Sequence, residues 1–175
     1  MLESLSLWLN DNKQLIIDLR RWLHQHPELG FQEFQTSEYI KKMLTKKGYH
    51  IVQNQSMKTG FYCDYVGSKE GPVLALRTDM DALAIDEKTE KKYISTNKGV
   101  MHACGHDVHM SIIASLAIYF IEKKVDIKGT VRFLFQPAEE KAPGGALSMI
   151  EGEAIKDVSH IFGSHVYPKM EAGQI

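Results

Sequence analysis

Cysteine is scarce: only Cys63 and Cys104 occur in 175 residues. Nothing suggests an oxidising compartment, so a disulfide framework is not expected. Metal binding or reactivity is the better reading of Cys104, while Cys63 reads as an ordinary half-buried strand residue. Excess charge is missing too. The 21 basic and 22 acidic residues leave a formal net charge of −1, which gives no argument for a nucleic-acid partner or an anionic membrane surface. No apolar window approaches the roughly 18 residues of a membrane span, so none is expected. The segment Met1-Leu2-Glu3-Ser4 has no basic stretch followed by an apolar one; no signal peptide is expected, and the expected location is cytoplasmic. Repeats and low-complexity tracts are also lacking. What remains is a composition typical of globular proteins, 43% hydrophobic and 25% charged, in a length that fits one domain with a sizeable core.

Apolar spacing predicts a helix over Leu5–His26, broken near Asn10-Asp11-Asn12 and stopped by Pro27, and a second over Gln32–Lys47. Strands are predicted at Tyr49–Gln53, Gly60–Val66 and Val73–Thr78, the last two separated by a turn over Gly67–Pro72. The unalternating run Val73-Leu74-Ala75-Leu76 suits a strand buried on both faces. A polar loop, about 86–100, leads to an apolar core helix over Val108–Lys123. A buried strand at Thr130–Phe135, a helix at Gly144–Ile150 and a strand at His160–Ser164 follow. Strands alternating with helices predict an α/β layer architecture.

Chemistry-bearing residues sit where the predicted strands end. Asp79 and Asp81 follow one strand, Glu139 and Glu140 another, and His165 closes the last, while Cys104 and His106 precede the core helix. Loops at strand ends are where α/β enzymes build their sites. Thiolate plus imidazole suits Zn²⁺ and can serve Co²⁺, Ni²⁺ or Mn²⁺. Gly105 between them leaves room for both side chains to face one centre. Of two adjacent carboxylates, one can ligate a metal while the other accepts a proton from an attacking water. His165, at the end of a buried strand, needs a partner for each ring nitrogen, and a metal can be one. Asp79 and Asp81 can ligate directly or orient a ligating histidine. His102, Asp107 and His109 are further polar groups around the cluster. His24 and His26, before Pro27, read as helix-terminal residues facing the dipole. Each motif alone also fits a bland alternative such as an exposed acidic turn, a satisfied core histidine or a helix cap. Their joint occurrence at strand ends points to a metal-dependent hydrolase.

Five segments resemble the M20 metallopeptidases: Arg20–Gly30, Arg77–Leu83, Met101–Asp107, Gln136–Glu140 and Gly163–Pro168. The likeness covers essentially the whole chain. It is to the amidohydrolase branch that cleaves N-acyl amino acids, such as hippurate hydrolases, N-acetyl-diaminopimelate deacetylases and auxin-conjugate hydrolases. The resemblance implies a zinc-peptidase-like α/β catalytic domain: three layers, a mixed and mostly parallel central sheet, helices on both faces. It also implies two divalent metals, manganese or zinc, with cobalt or nickel as alternatives. Carried over by motif, Cys104, His106, Glu140 and His165 would be metal ligands, Glu139 the general base, and Asp81 the residue supporting the metal centre from behind. The substrate would be a small N-acyl amino acid, N-acetyl or N-benzoyl, cleaved at its amide. Ala84 stands where relatives usually carry Pro, and Val108 where they carry Gly or Ala; neither removes a ligand. Family members continue beyond this length, with a lid domain that often mediates dimerisation. That part supplies another histidine ligand, a lid histidine and groups that grip the substrate carboxylate. Residues 1–175 are therefore expected to be the N-terminal portion of a catalytic domain, incomplete and without the lid. Two partners are compatible with this expectation, a complementing C-terminal fragment or a homodimer as in full-length relatives. The alternative is a catalytically incompetent remnant that binds metal or a partner chain without turnover.

Overall fold

The computed structural model describes residues 2–171, 173 and 174; Met1, where the segment read for a leader begins, lies outside them. The chain runs α1 (Leu2–Asp11), α2 (Lys13–Gln25), α3 (Phe34–Lys46), β1 (Ile51–Val52), β2 (Phe61–Val66), β3 (Lys69–Asp79), α4 (His106–Glu122), β4 (Lys128–Gln136), α5 (Gly145–Glu151) and β5 (Val158–Gly163). The expected break falls at Asn12, whose φ of −106° and ψ of 12° leave helical geometry; its side chain and its backbone N–H both donate to the Trp8 carbonyl at 2.9 Å. Pro27 disfavours helical geometry in the residue before it, and α2 stops at Gln25.

The five strands form one mixed sheet in the order β1-β2-β4-β3-β5. β2 runs antiparallel to both β1 and β4, whereas β3 lies parallel to β4 and to β5. Only β2 is reversed. The ends of β3, β4 and β5 therefore emerge at a single edge, where open α/β sheets place their ligands. The expected turn at Gly67–Pro72 is shorter than the composition suggests. β3 already pairs at Lys69, opposite Lys128, and an irregularity carries the chain through Gly71-Pro72 before Val73 pairs with Thr130. Pro72 is tolerated because β5 pairing begins only at Val73, so the strand has a free side at the proline.

Helices cover both faces. The main core joins Trp8, Leu19, Leu23, Ile40 and Leu44 of the first three helices to the buried face of α4 and to Phe61, Phe133 and Phe135 of the sheet. On the opposite face α5 brings Met149 against Leu134, Met57 and Ala154. Phe61 and Phe135, register partners across β2 and β4, stack with centroids 4.6 Å apart. α4 is buried nearly all round, as its apolar sequence predicts. β4 is buried on both faces. Cys63 is wholly buried in β2, so the half-buried expectation understated it. Burial raises the pKa of its thiol, and it is free.

Two expectations change at the other side of the sheet. Val73, Leu74 and Leu76 are only half-buried. β5, expected to be buried, is an exposed edge strand, with Ile161 54% and Phe162 56% accessible. Its sequence has the apolar content of a covered strand, but among the described residues only β3 pairs with it. Among the described residues no helix is long and apolar enough to cross a membrane.

Leu23 is fully buried between α2 and α4. Leu23→Ala is expected to lower the unfolding free energy by about 2–5 kcal/mol, read from urea denaturation. A loss below 0.5 kcal/mol would mean the helix pair is not packed as described.

Candidate metal centre

Three parallel strand ends and one helix N-terminus build the site. Asp79 is the last residue of β3, and Asp81 lies two beyond it. Glu139 and Glu140 follow β4 across Pro137 and Ala138, and His165 follows β5 by two residues. Cys104 and His106 flank Gly105, the N-cap of α4. Gly105 is required there for two reasons. Its φ of +84° lies in the left-handed region, and a Cβ at this position would stand 2.4 Å from Cγ2 of Val166.

Asp81 organises the centre. Its buried carboxylate accepts the backbone N–H of Glu139 at 2.9 Å on one oxygen and that of Glu140 at 3.0 Å on the other. Its carbonyl accepts Nδ1–H of His106 at 2.8 Å. That bond fixes the His106 tautomer and leaves Nε2 free. Burial alone would raise the Asp81 pKa; the bonds from His106, Glu140 and Glu139 outweigh it and hold the carboxyl below its ordinary value.

His106 Nε2 is buried without a hydrogen-bond partner. It lies 3.7 Å from Asp79 Oδ2 and 3.9 Å from both Glu139 Oε2 and Glu140 Oε1. Cys104 Sγ and His165 Nε2 approach each other at 3.3 Å on the exposed side. Among the described residues, three groups hold donor atoms within 4.8 Å of one another, and all three contain His106: Cys104 with His165, Glu139 with Glu140, and Asp79 with His109. Cys104, His106, Glu139, Glu140 and His165 are thus gathered around His106 with Asp79 and His109, whereas Asp81, His102, Asp107, His24 and His26 contribute no atom to these groups.

The Asp79–His109 group is hydrogen-bonded already. His109 Nδ1–H donates to Asp79 Oδ1 at 2.8 Å, and its Nε2 accepts the backbone N–H of Val166 at 3.0 Å. Arg77 donates to the other Asp79 oxygen at 2.7 Å. Burial opposes ionisation of Asp79, yet the His109 bond and the charges of His106 and Arg77 hold its pKa to about 2. His109 therefore secures the loop that carries His165. His165 turns Nδ1–H onto the Val166 carbonyl at 2.7 Å and keeps Nε2 toward Cys104. The buried-strand argument for His165 fails, because β5 is exposed. It is a local carbonyl, with the Cys104 thiol, that serves the two ring nitrogens.

The donor set fits a divalent metal. It contains an orphaned buried imidazole nitrogen, a thiol, a second imidazole and two carboxylates, a combination that suits a borderline cation. Burial, then the Glu140, Glu139 and Asp79 carboxylates, push the Cys104 thiol up to about 12. A divalent cation reverses that electrostatic balance and favours the thiolate.

Two features escaped sequence reasoning. His24 is not a dipole-facing helix terminus. It is buried, with Nδ1 2.8 Å from Asp107 Oδ2 and Nε2 3.1 Å from Glu87 Oε1. Arg20 joins the same Asp107 oxygen at 2.8 Å, so the residue after His106 is clamped to α2. The partners are 83 and 63 positions away, and no local pattern signals them. His26 bonds its own helix, at the Trp22 carbonyl. His102 is buried with no hydrogen-bond partner for either ring nitrogen, and burial drives its pKa down to about 4.

Two predictions follow from these contacts. Gly105→Ala is expected to cost about 1–2 kcal/mol in urea denaturation, the penalty of a left-handed conformation; an unchanged midpoint would contradict the observed φ. The Asp107 bond, chiefly, raises the His24 pKa against the effect of burial, and Glu87 adds to it. A raised folded pKa gives stability that is complete below the unfolded value near 6.5 and lost as pH rises through the folded value. The stability gap between wild type and His24→Gln should be larger at pH 5.5 than at pH 9. A gap that is flat or grows with pH would refute the bridged imidazolium.

The profile of Peptidase family M20/M25/M40 matches residues 75–175. An N-acetyl-L-cysteine deacetylase of Bacillus subtilis is 43% identical over 173 residues, covering 99% of this chain and 41% of the relative. An N-acyl-L-amino acid amidohydrolase of Geobacillus stearothermophilus is 39% identical, over 99% of this chain and 46% of the relative. A Bacillus subtilis dinuclear metal binding peptidase superposes with a TM-score of 0.86 at 43% identity, over 90% of this chain and 44% of that one. The chain spans less than half the length of these relatives.

Proposed function

The chain belongs to Peptidase family M20/M25/M40, and from that premise we propose that it forms the metal-binding part of a metal-dependent amidohydrolase acting on N-acyl amino acids. The observation that carries this reading is His106 Nε2, buried, unpartnered and surrounded by the carboxylates of Asp79 at 3.7 Å and of Glu139 and Glu140 at 3.9 Å. Such an atom is costly to bury unless something binds it. The relatives' deacetylase and amidohydrolase activities support the reaction class.

In this proposal Cys104, His106, Glu140 and His165 hold the metals, and Asp81 fixes the loop that carries two of the acting groups. Two divalent cations, manganese or zinc, would polarise the amide carbonyl and acidify the attacking water. Glu139 is the general base. Its side chain is 42% exposed, so it can reach substrate, while its amide is pinned by Asp81. Glu139 takes the proton as water adds to the carbonyl carbon and returns it to the amine as the C–N bond breaks. His106 and Glu140 hold their places through the reaction because their backbone and ring partners lie within the fold.

A second reading is favoured by one observation, the bare β5 edge with Ile161 and Phe162 exposed. Here the chain binds metal and gains turnover only when another polypeptide covers that edge. The two readings separate in one experiment. Mn²⁺ is titrated into the chain, alone and with a C-terminal fragment of a relative, and cleavage of N-acetyl and N-benzoyl amino acids is followed. Metal-dependent cleavage is expected with the fragment; an associated mixture that stays inert would sink complementation. In any active form Glu139→Gln should lower kcat by at least about 10²-fold with metal content unchanged. Loss of metal in that variant would make Glu139 a ligand instead.

A further inference from the structure

The N-cap position of α3 belongs to Glu33, yet its side chain makes no capping bond. That task passes to Glu28, whose carboxylate accepts the N–H groups of Gln35 at 3.1 Å and Thr36 at 2.8 Å. Glu33 instead turns inward and is completely buried. One of its oxygens accepts the backbone N–H of Ala138 at 2.8 Å, across 105 positions of sequence, and the other accepts the Thr59 hydroxyl. Burial raises its pKa, against the pull of the Thr59 and Ala138 bonds. In either protonation state an acceptor remains for Ala138.

Ala138 holds a left-handed φ of +44° just before the two acidic residues. Three consecutive amides are therefore gripped by two buried carboxylates: Ala138 by Glu33, Glu139 and Glu140 by Asp81. Asp81 fixes the two amides that follow the bend, and the Gly145 N–H holds the Ala138 carbonyl at 2.8 Å, but the Ala138 amide, on the near side of this left-handed residue, is held by Glu33.

We propose that Glu33 is a positioning residue for the metal centre, holding Ala138 in its strained bend so that Glu139 and Glu140 project toward His106. It acts through the backbone and touches neither metal nor substrate. The inference rests on the proposed function for its consequence and on the hydrogen bonds alone for its geometry.

The test uses the whole 175-residue chain. Glu33→Met keeps similar volume and removes the acceptor, whereas Glu33→Gln keeps an acceptor oxygen for Ala138. Amide hydrogen exchange is measured at Ala138, Glu139, Glu140 and, as a reference for global stability, at Leu134 in β4. Mn²⁺ affinity is measured in parallel by titration. Glu33→Met is expected to speed exchange at 138–140 by about tenfold or more relative to Leu134. It should also weaken Mn²⁺ binding by about tenfold, as loss of an outer support does elsewhere. Glu33→Gln should stay near wild type in both. Equal acceleration at Leu134 and the loop would make Glu33 merely structural and overturn the proposal, as would wild-type Mn²⁺ affinity in a Glu33→Met chain with a loosened loop. A wild-type chain that binds no Mn²⁺ would overturn the metal reading, and the exchange data would still decide the positioning claim. Should Glu33→Met not fold, a Glu33→Gln chain with loop exchange accelerated about tenfold over Leu134 would equally overturn it.

Discussion

A single buried carboxylate ties this structure to its chemistry. Asp81 lies two residues beyond β3, and from there it binds the Glu139 and Glu140 amides after β4 and, through its carbonyl, the imidazole that opens α4. Three elements separated by dozens of residues meet on one residue. Buried carboxylates persist when their oxygens are filled by good donors, and here the donors belong to the residues that carry the functional groups. The parallel run of β3, β4 and β5 makes this possible, because it brings their ends to one edge.

Around Asp81 the site is organised by directional bonds more than by packing. Asp79 sets the His109 tautomer, His109 holds the Val166 amide, and the His165 ring turns on the Val166 carbonyl. Asp107 is clamped by His24 and Arg20 on α2. His109 and His24 have both ring nitrogens engaged, whereas His106 and His165 are each held through Nδ1 and keep Nε2 on the side of the cluster, an arrangement in which outer bonds orient the inner groups. The result is a concentration of negative charge around His106, which only a cation or protons can balance.

The sheet is asymmetric in a way that bears on function. At β2 and β4 it is closed by stacked aromatics and helices on both faces. At β5 it ends in an exposed apolar strand two residues from His165. The site thus straddles a rigid side, which holds Asp81, His106 and the two glutamates, and an open side, which holds His165. Contacts made at that open edge would act directly on the geometry of His165.

Much of this was legible in the sequence because it rests on local rules. Helical and strand periodicity placed every element within a few residues; the break shows in the polar run Asn10-Asp11-Asn12, and the stop before Pro27 has a steric cause visible in the chain itself. Cys104, His106, Glu139, Glu140 and His165 stood out because thiol, imidazole and paired carboxylates at strand ends have few other uses, and the structure brings them together. What the sequence could not reveal depends on partners distant along the chain. The exposure of β5 depends on what lies beside it, the role of His24 on Asp107 and Glu87, and that of Glu33 on Ala138. Composition and periodicity determined the class of fold and the kind of chemistry, since both follow from residue type and local spacing. Only the tertiary structure decided which carboxylates support and which face the site, because that depends on which buried donors reach them.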